Sequence, residues 1–167
     1  MLDLNKILFD GVVFSIIGSG IILAVMRYSP RLFLNKGDFP ADILAAVPPK
    51  TSAEKRLALI LGMPFLIAIV AIPFISTLQF RQQAGSEVAF YLLFLHAFAI
   101  LMFFSLFDLL ILDFLLFCTI TPSFMVVPGT EGLSGYKDYG FHVRQHARSV
   151  PFTALAALVI VLLTMLF

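Results

Sequence analysis

Four long apolar runs, separated by polar or proline-broken stretches, account for most of this chain. They cover about residues 7–26, 57–78, 88–118 and 149–167, each close to the roughly 20 apolar residues that cross a bilayer's hydrocarbon as a helix. The third run is the most continuous: residues 88–120 read VAFYLLFLHAFAILMFFSLFDLLILDFLLFCTI. It exceeds a single crossing and therefore has to tilt, bend or continue past the membrane face. The pattern predicts an all-α fold, an integral membrane four-helix transmembrane bundle forming one domain over residues 1–167, with long connections at 27–56 and 119–148.

The connections carry their own punctuation. Pro30, Pro40, Pro48 and Pro49 forbid one long helix over 27–56, since each removes an amide donor and biases the preceding residue toward extended geometry. Residues 41–47 are expected to form a short turn of helix on the membrane. Thr51 and Glu54 have the spacing of a capping box, which marks the start of the second helix. That helix contains Pro64 and Pro73, with a kink expected at Pro73. Residues 79–87 form a short polar link, so the second and third helices should be antiparallel neighbours. Pro122 stops the third helix, and the chain turns helical again from about Phe141.

Composition sharpens the class. Hydrophobic residues make up 60% and charged residues 13% of the chain, and the mean hydropathy is +1.03, outside the range of soluble domains. The formal net charge of +1 supplies no basic field for nucleic acid. Cys118 is the single cysteine, so an internal disulfide is excluded. The opening MLDLNK lacks a basic n-region and no small-residue cleavage pattern follows the first run, so the first helix reads as retained. Lys and Arg gather in the two long connections, and positive residues favour the cytoplasm. The expectation is a plasma (inner) membrane protein with both termini outside.

Several residues stand out as candidate chemistry. Gly11, Ser15 and Ser19 recur at intervals of four on the first helix, a small-residue stripe that lets another backbone approach, inside the bundle or in a homo-oligomer. His96, Asp108 and Asp113 lie inside the third run, where an aspartate costs roughly 2.5–3.5 kcal/mol at the helix centre. At ~100° per residue Asp108 and Asp113 fall about 140° apart, and His96 about 120° from Asp108 on the other side, so an ordinary helix places the three on different faces. The third connection and the start of the fourth helix add His142, Arg144, His146 and Arg148. Asp108 or Asp113 paired with Arg144, Arg148 or Lys55 is the simplest account of the acids, and a neutral imidazole hydrogen-bonded across the bundle that of His96. The four-residue spacing of His142 and His146 suits a divalent metal, yet a basic face meeting anionic headgroups explains it as well. The sequence by itself therefore assigns no metal and no cofactor.

The run FDLLILDFLLFCTITPSFMVVPGTEG, followed by YKDYGFH and preceded by AVPPKTSAEKR, resembles a group of small bacterial multi-pass inner-membrane proteins of no established activity. The resemblance implies a bacterial inner-membrane setting and assigns no site residue. Two functional readings follow from the residues. The first is a non-enzymatic membrane component, either a helical subunit of a membrane complex or a small-solute or proton pathway. The second is a membrane-embedded, metal-assisted enzyme acting on a lipid or polyprenyl substrate at the cytoplasmic face, built on Asp108, Asp113, His142 and His146. The lipid bilayer is the partner common to both.

Overall fold

In the computed structural model, which describes residues 1–85 and 88–167, four helices are long and apolar enough to cross a membrane. They are α1 (Leu4–Tyr28), α3 (Ser52–Ala84), α4 (Phe90–Phe107) with its continuation over Asp108–Ile120, and α5 (Tyr139–Thr164). A one-and-a-half-turn α2 (Ala41–Ala46) lies in the first connection. The chain is an all-α bundle and, by these four helices, a membrane protein. Asp3 caps α1 through the Lys6 amide, and Asp138 caps α5 through the Phe141 amide at 2.8 Å. At α3, the Thr51 hydroxyl accepts from the Glu54 amide while Glu54 accepts from the Thr51 amide. Glu54 also meets Arg31 at 2.7 Å, tying the first connection to the start of α3. The α3 helix runs unbroken through Pro64 and Pro73 to Ala84, longer than the expected 57–78. Of the polar link expected at 79–87, Ser86 and Glu87 lie outside the described residues.

The bundle packs α4 against α1, α3 and α5. Between helices in lipid, close packing and interhelical hydrogen bonds replace the hydrophobic drive that works in water. The small-residue stripe supplies the close approach: Gly11, Ser15, Gly18 and Ser19 are buried in this single chain. A Cβ on Gly11 would sit 2.8 Å from the Phe103 ring, and one on Gly18 2.7 Å from Phe104. Phe14 fills the space between, its ring 4.5 Å from that of Phe104. The outer faces are apolar and exposed, with Phe9, Ile16, Ile67 and Phe152 among them, as a surface solvated by lipid requires.

Both termini and the C-terminal end of α3 lie at one end. Lys6 reaches Gln79, Arg81 donates to the Thr164 carbonyl, and Phe74 packs on Phe167. At the other end the two long connections fold onto each other around a second apolar cluster of Leu34, Phe39, Ile43, Phe117, Cys118, Val127 and Tyr136. The Tyr136 hydroxyl accepts from the Val127 amide, and Asp42 accepts from the Gly135 amide at 2.8 Å. Gly135 is needed there, because a Cβ would collide with the Asp42 carboxylate.

The third span does not stay α-helical. From Asp108 to Ile120 it is a π-helix, in which hydrogen bonds join residues five apart rather than four. No glycine or proline interrupts these thirteen residues. Its end is held from outside: the Thr121 amide donates to the Leu116 carbonyl, Thr121 turns left-handed at φ 49°, and Lys137 Nζ donates to the Cys118 carbonyl and the Thr121 hydroxyl. A cation on the last carbonyls of a helix satisfies acceptors that have no partner within it.

Candidate metal and acid–base site

The π-helix changes which side chains meet. With five residues between hydrogen-bonded partners, residues i and i+5 sit one turn apart on the same side. Asp108 and Asp113 therefore share a face, which corrects the 140° separation expected of an ordinary helix. That face looks at α5, where His142 and His146 are one α-helical turn apart and also share a side.

Two imidazoles converge on one carboxylate oxygen, and the second carboxylate faces one of them. Asp113 Oδ2 lies 3.0 Å from His142 Nδ1 and 3.0 Å from His146 Nε2. Asp108 Oδ2 lies 3.7 Å from His146 Nε2. Ser105, one turn before Asp108, brings its hydroxyl to 2.9 Å from His146 Nδ1. An ionised carboxylate only accepts, so both imidazole nitrogens facing Asp113 carry protons. The bare Nδ1 of His146 is then the acceptor for the Ser105 hydroxyl. His142 Nε2 is buried and has no partner.

These partners differ from the arginines and lysine expected. Arg144 is exposed and faces Asp138 at 3.5 Å, while Arg148 and Lys55 are on the exposed surface. The reason is geometric. Arg144 and Arg148 leave α5 on other sides from His142 and His146, and their long stems carry the charge toward water. Ser105 belongs to the site although no sequence signal singled it out. A serine in an apolar helix reads as packing, and its meeting with a residue 41 positions away is a tertiary event.

The cluster lines the polar end of a cavity of 520 Å³. Along α5 the lining changes from His142, Gln145, His146 and Ser149 to Phe152 and Ala156, a run of 14 residues or roughly 20 Å. Ile22 of α1, Ile69 of α3 and Leu101 of α4 close the apolar end, and Gly37 and Asp38 of the first connection border the polar one. Burial pushes the Asp38 carboxyl up to about 6, partly offset by the Asn35 amide that donates to it and by the Lys50 charge.

Asp108, Asp113 and His146 each offer a ligand atom, all within 4.8 Å of one another. Two atoms each roughly 2.1 Å from one ion are at most about 4.2 Å apart, so the group needs to close by about half an ångström. Ligation through His146 Nε2 requires its proton on Nδ1 instead, where the Ser105 oxygen accepts it. This is the usual outer partner of a metal-bound imidazole. His142 orients Asp113 from behind. A mixed nitrogen and oxygen set of this kind suits first-row divalent metals, which act as Lewis acids or lower the pKa of a bound water.

His96 is elsewhere. It is buried in α4 about 18 Å along the helix from Asp108, stacked on Phe80 with ring centroids 4.6 Å apart. Its Nε2 lies 2.9 Å from the Ser76 hydroxyl, which donates to Asp10 at 2.5 Å, and Asp10 pairs with Lys6 at 3.0 Å. This chain of polar groups links α1, α3 and α4 at the end that holds the termini. No family model, curated protein or solved structure matches this chain.

Proposed function

We propose that the protein is a membrane-embedded enzyme that binds one divalent metal through Asp108, Asp113 and His146 and acts on a lipid or polyprenyl substrate lying in the adjoining cavity. The observation that carries this reading is the convergence of two carboxylates and two imidazoles at the polar end of a cavity whose other end is apolar. Ionisable groups at membrane depth are costly and tend to mark function, and a strongly paired cluster beside a cavity is the usual form of a reaction site. In this arrangement the metal would polarise a substrate oxygen or activate water. His142 holds Asp113, Ser105 would accept the proton of a metal-bound His146 at Nδ1, and Asp38 offers a further carboxylate at the cavity mouth. By its lysines and arginines we place this end at the cytoplasmic face of a bacterial inner membrane.

The test is elemental analysis of protein purified from cells supplied with zinc, manganese or iron. About one metal per wild-type chain is expected, falling to background in Asp113→Asn and His146→Ala. Wild-type protein without stoichiometric metal would remove the reading. Alongside, a total lipid extract incubated with reconstituted protein should change composition by mass spectrometry only when both residues are intact.

The non-enzymatic readings have narrower support. The Gly11, Ser15 and Ser19 stripe is spent inside the bundle, so it offers no face to another subunit or a second copy. A proton pathway would draw on the Lys6, Asp10, Ser76 and His96 chain. Proton flux in proteoliposomes that His96→Ala abolishes, with the metal content unchanged, would favour it over the enzyme.

A further inference from the structure

The cavity is rich in hydrogen-bond acceptors and short of donors and positive charge. Asp38, Asp108 and Asp113 line it, and among the described residues that line it none is lysine or arginine. Lys50, whose charge acts on Asp38, donates to the Leu32 carbonyl at 2.7 Å. Several hydroxyl and amide donors of the lining are used within the protein. The Gln145 amide donates to the Lys36 carbonyl, the Ser149 hydroxyl to the His146 carbonyl and the Thr153 hydroxyl to the Ser149 carbonyl. Both imidazole N–H groups are committed to Asp113. What remains open is acceptor capacity, above all the carboxylates of Asp108, whose ion-pair contact is His146 at 3.7 Å, and Asp38.

From this inventory we infer that the cavity takes a long-chain lipid whose headgroup carries no negative charge and donates hydrogen bonds, a hydroxyl, amide or amine, and that it rejects phosphate headgroups. The inference rests on the reading of the cavity as a lipid site and narrows it. A chain is called for by the roughly 20 Å over which the α5 lining turns from polar to apolar. A donor is called for because the lining holds three carboxylates, which only accept when ionised, and a hydroxyl, amide N–H or amine can pair with those of Asp108 and Asp38. Phosphate is disfavoured because its recognition relies on arginine, lysine or an open helix N-terminus. Here the first two are missing from the lining and the α5 N-terminus is capped by Asp138. One bound divalent ion offsets only two of the three carboxylates, so it does not turn the cavity into an anion site.

The experiment is lipid binding by native mass spectrometry on the full chain in nanodiscs, with metal content read in the same samples. The probes are oleyl alcohol, N-oleoylethanolamide, oleylamine, dioleoyl phosphatidate and a polyprenyl phosphate. The alcohol, amide or amine should bind at least tenfold more tightly than either phosphate lipid. Asp38→Lys, a change in the connection rather than in a spanning helix, should raise phosphatidate binding tenfold or more. Wild-type protein that binds either phosphate lipid as tightly as the best donor lipid, or that binds no probe, overturns the inference. Phosphate preference in metal-loaded protein sinks it while the metal reading stands. Donor preference in metal-free protein does the reverse, and the comparison among wild-type affinities holds whether or not Asp38→Lys folds.

Discussion

Asp113 gathers the contacts of the candidate site on one oxygen atom. Two imidazoles donate to it at 3.0 Å, so it sets the protonation pattern of His142 and His146, and through His146 the direction of the Ser105 hydroxyl. Asp38, at the mouth, provides a titration that can be read separately. Its carboxyl is held at about 6 by burial, against roughly 3.9 for an aspartate in an unfolded chain. The folded protein therefore binds this proton more tightly than the unfolded one. By linkage, that contribution to stability is fully present below about pH 4 and is lost as pH rises to about 6. Asp38→Asn should flatten this part of the profile, leaving the melting temperature less sensitive between pH 4 and 6 than in the wild type. An unchanged slope in detergent would show that Asp38 titrates like a solvated acid.

The π-helix is the element on which the site depends. It matches a five-residue spacing on one strand of the site, Asp108 to Asp113, to the four-residue spacing of His142 and His146 on α5. The match predicts the effect of a register change. One alanine inserted between Leu110 and Ile111 turns Asp113 away from Asp108 by roughly a quarter of a turn. Metal content should fall to background while helical circular dichroism persists. Retention of the metal would mean that the two carboxylates do not need a common face. Nothing local in the sequence announces this helix. Its thirteen residues lack glycine and proline, and the groups that close it, Lys137 and the Asp113 partners on α5, come from later in the chain.

At the scale of the whole molecule, the two long connections form a cap over the site end while the termini gather at the other. In the proposed orientation, argued from their lysines and arginines, the cap faces the cytoplasm. Because Cys118 is buried, a cysteine introduced at Glu131, an exposed position in the cap, can be labelled against little background. An impermeant maleimide should leave it unmodified in intact cells and modify it in inverted vesicles. Labelling in intact cells would reverse the orientation and with it the face from which the proposed substrate and metal would arrive.

The class of this protein was legible in the order of its residues, because lipid solvation depends on run length and composition, which are properties of the linear chain. The Thr51 and Glu54 cap was legible for the same reason, as its partners stand three residues apart. The residues of the site were legible as a set of costly groups in apolar surroundings, but their partners were not. Ion pairs with Arg144, Arg148 or Lys55 were the natural expectation from opposite charge and a shared depth at the inner face, and an α-helical phase kept the two aspartates apart. Only the folded bundle decided that the third span would change its hydrogen-bond register, that Asp113 would face two imidazoles, and that Ser105 would join them. The physical reason is that a π-helix is maintained by contacts from distant segments, and no local propensity encodes distance in space.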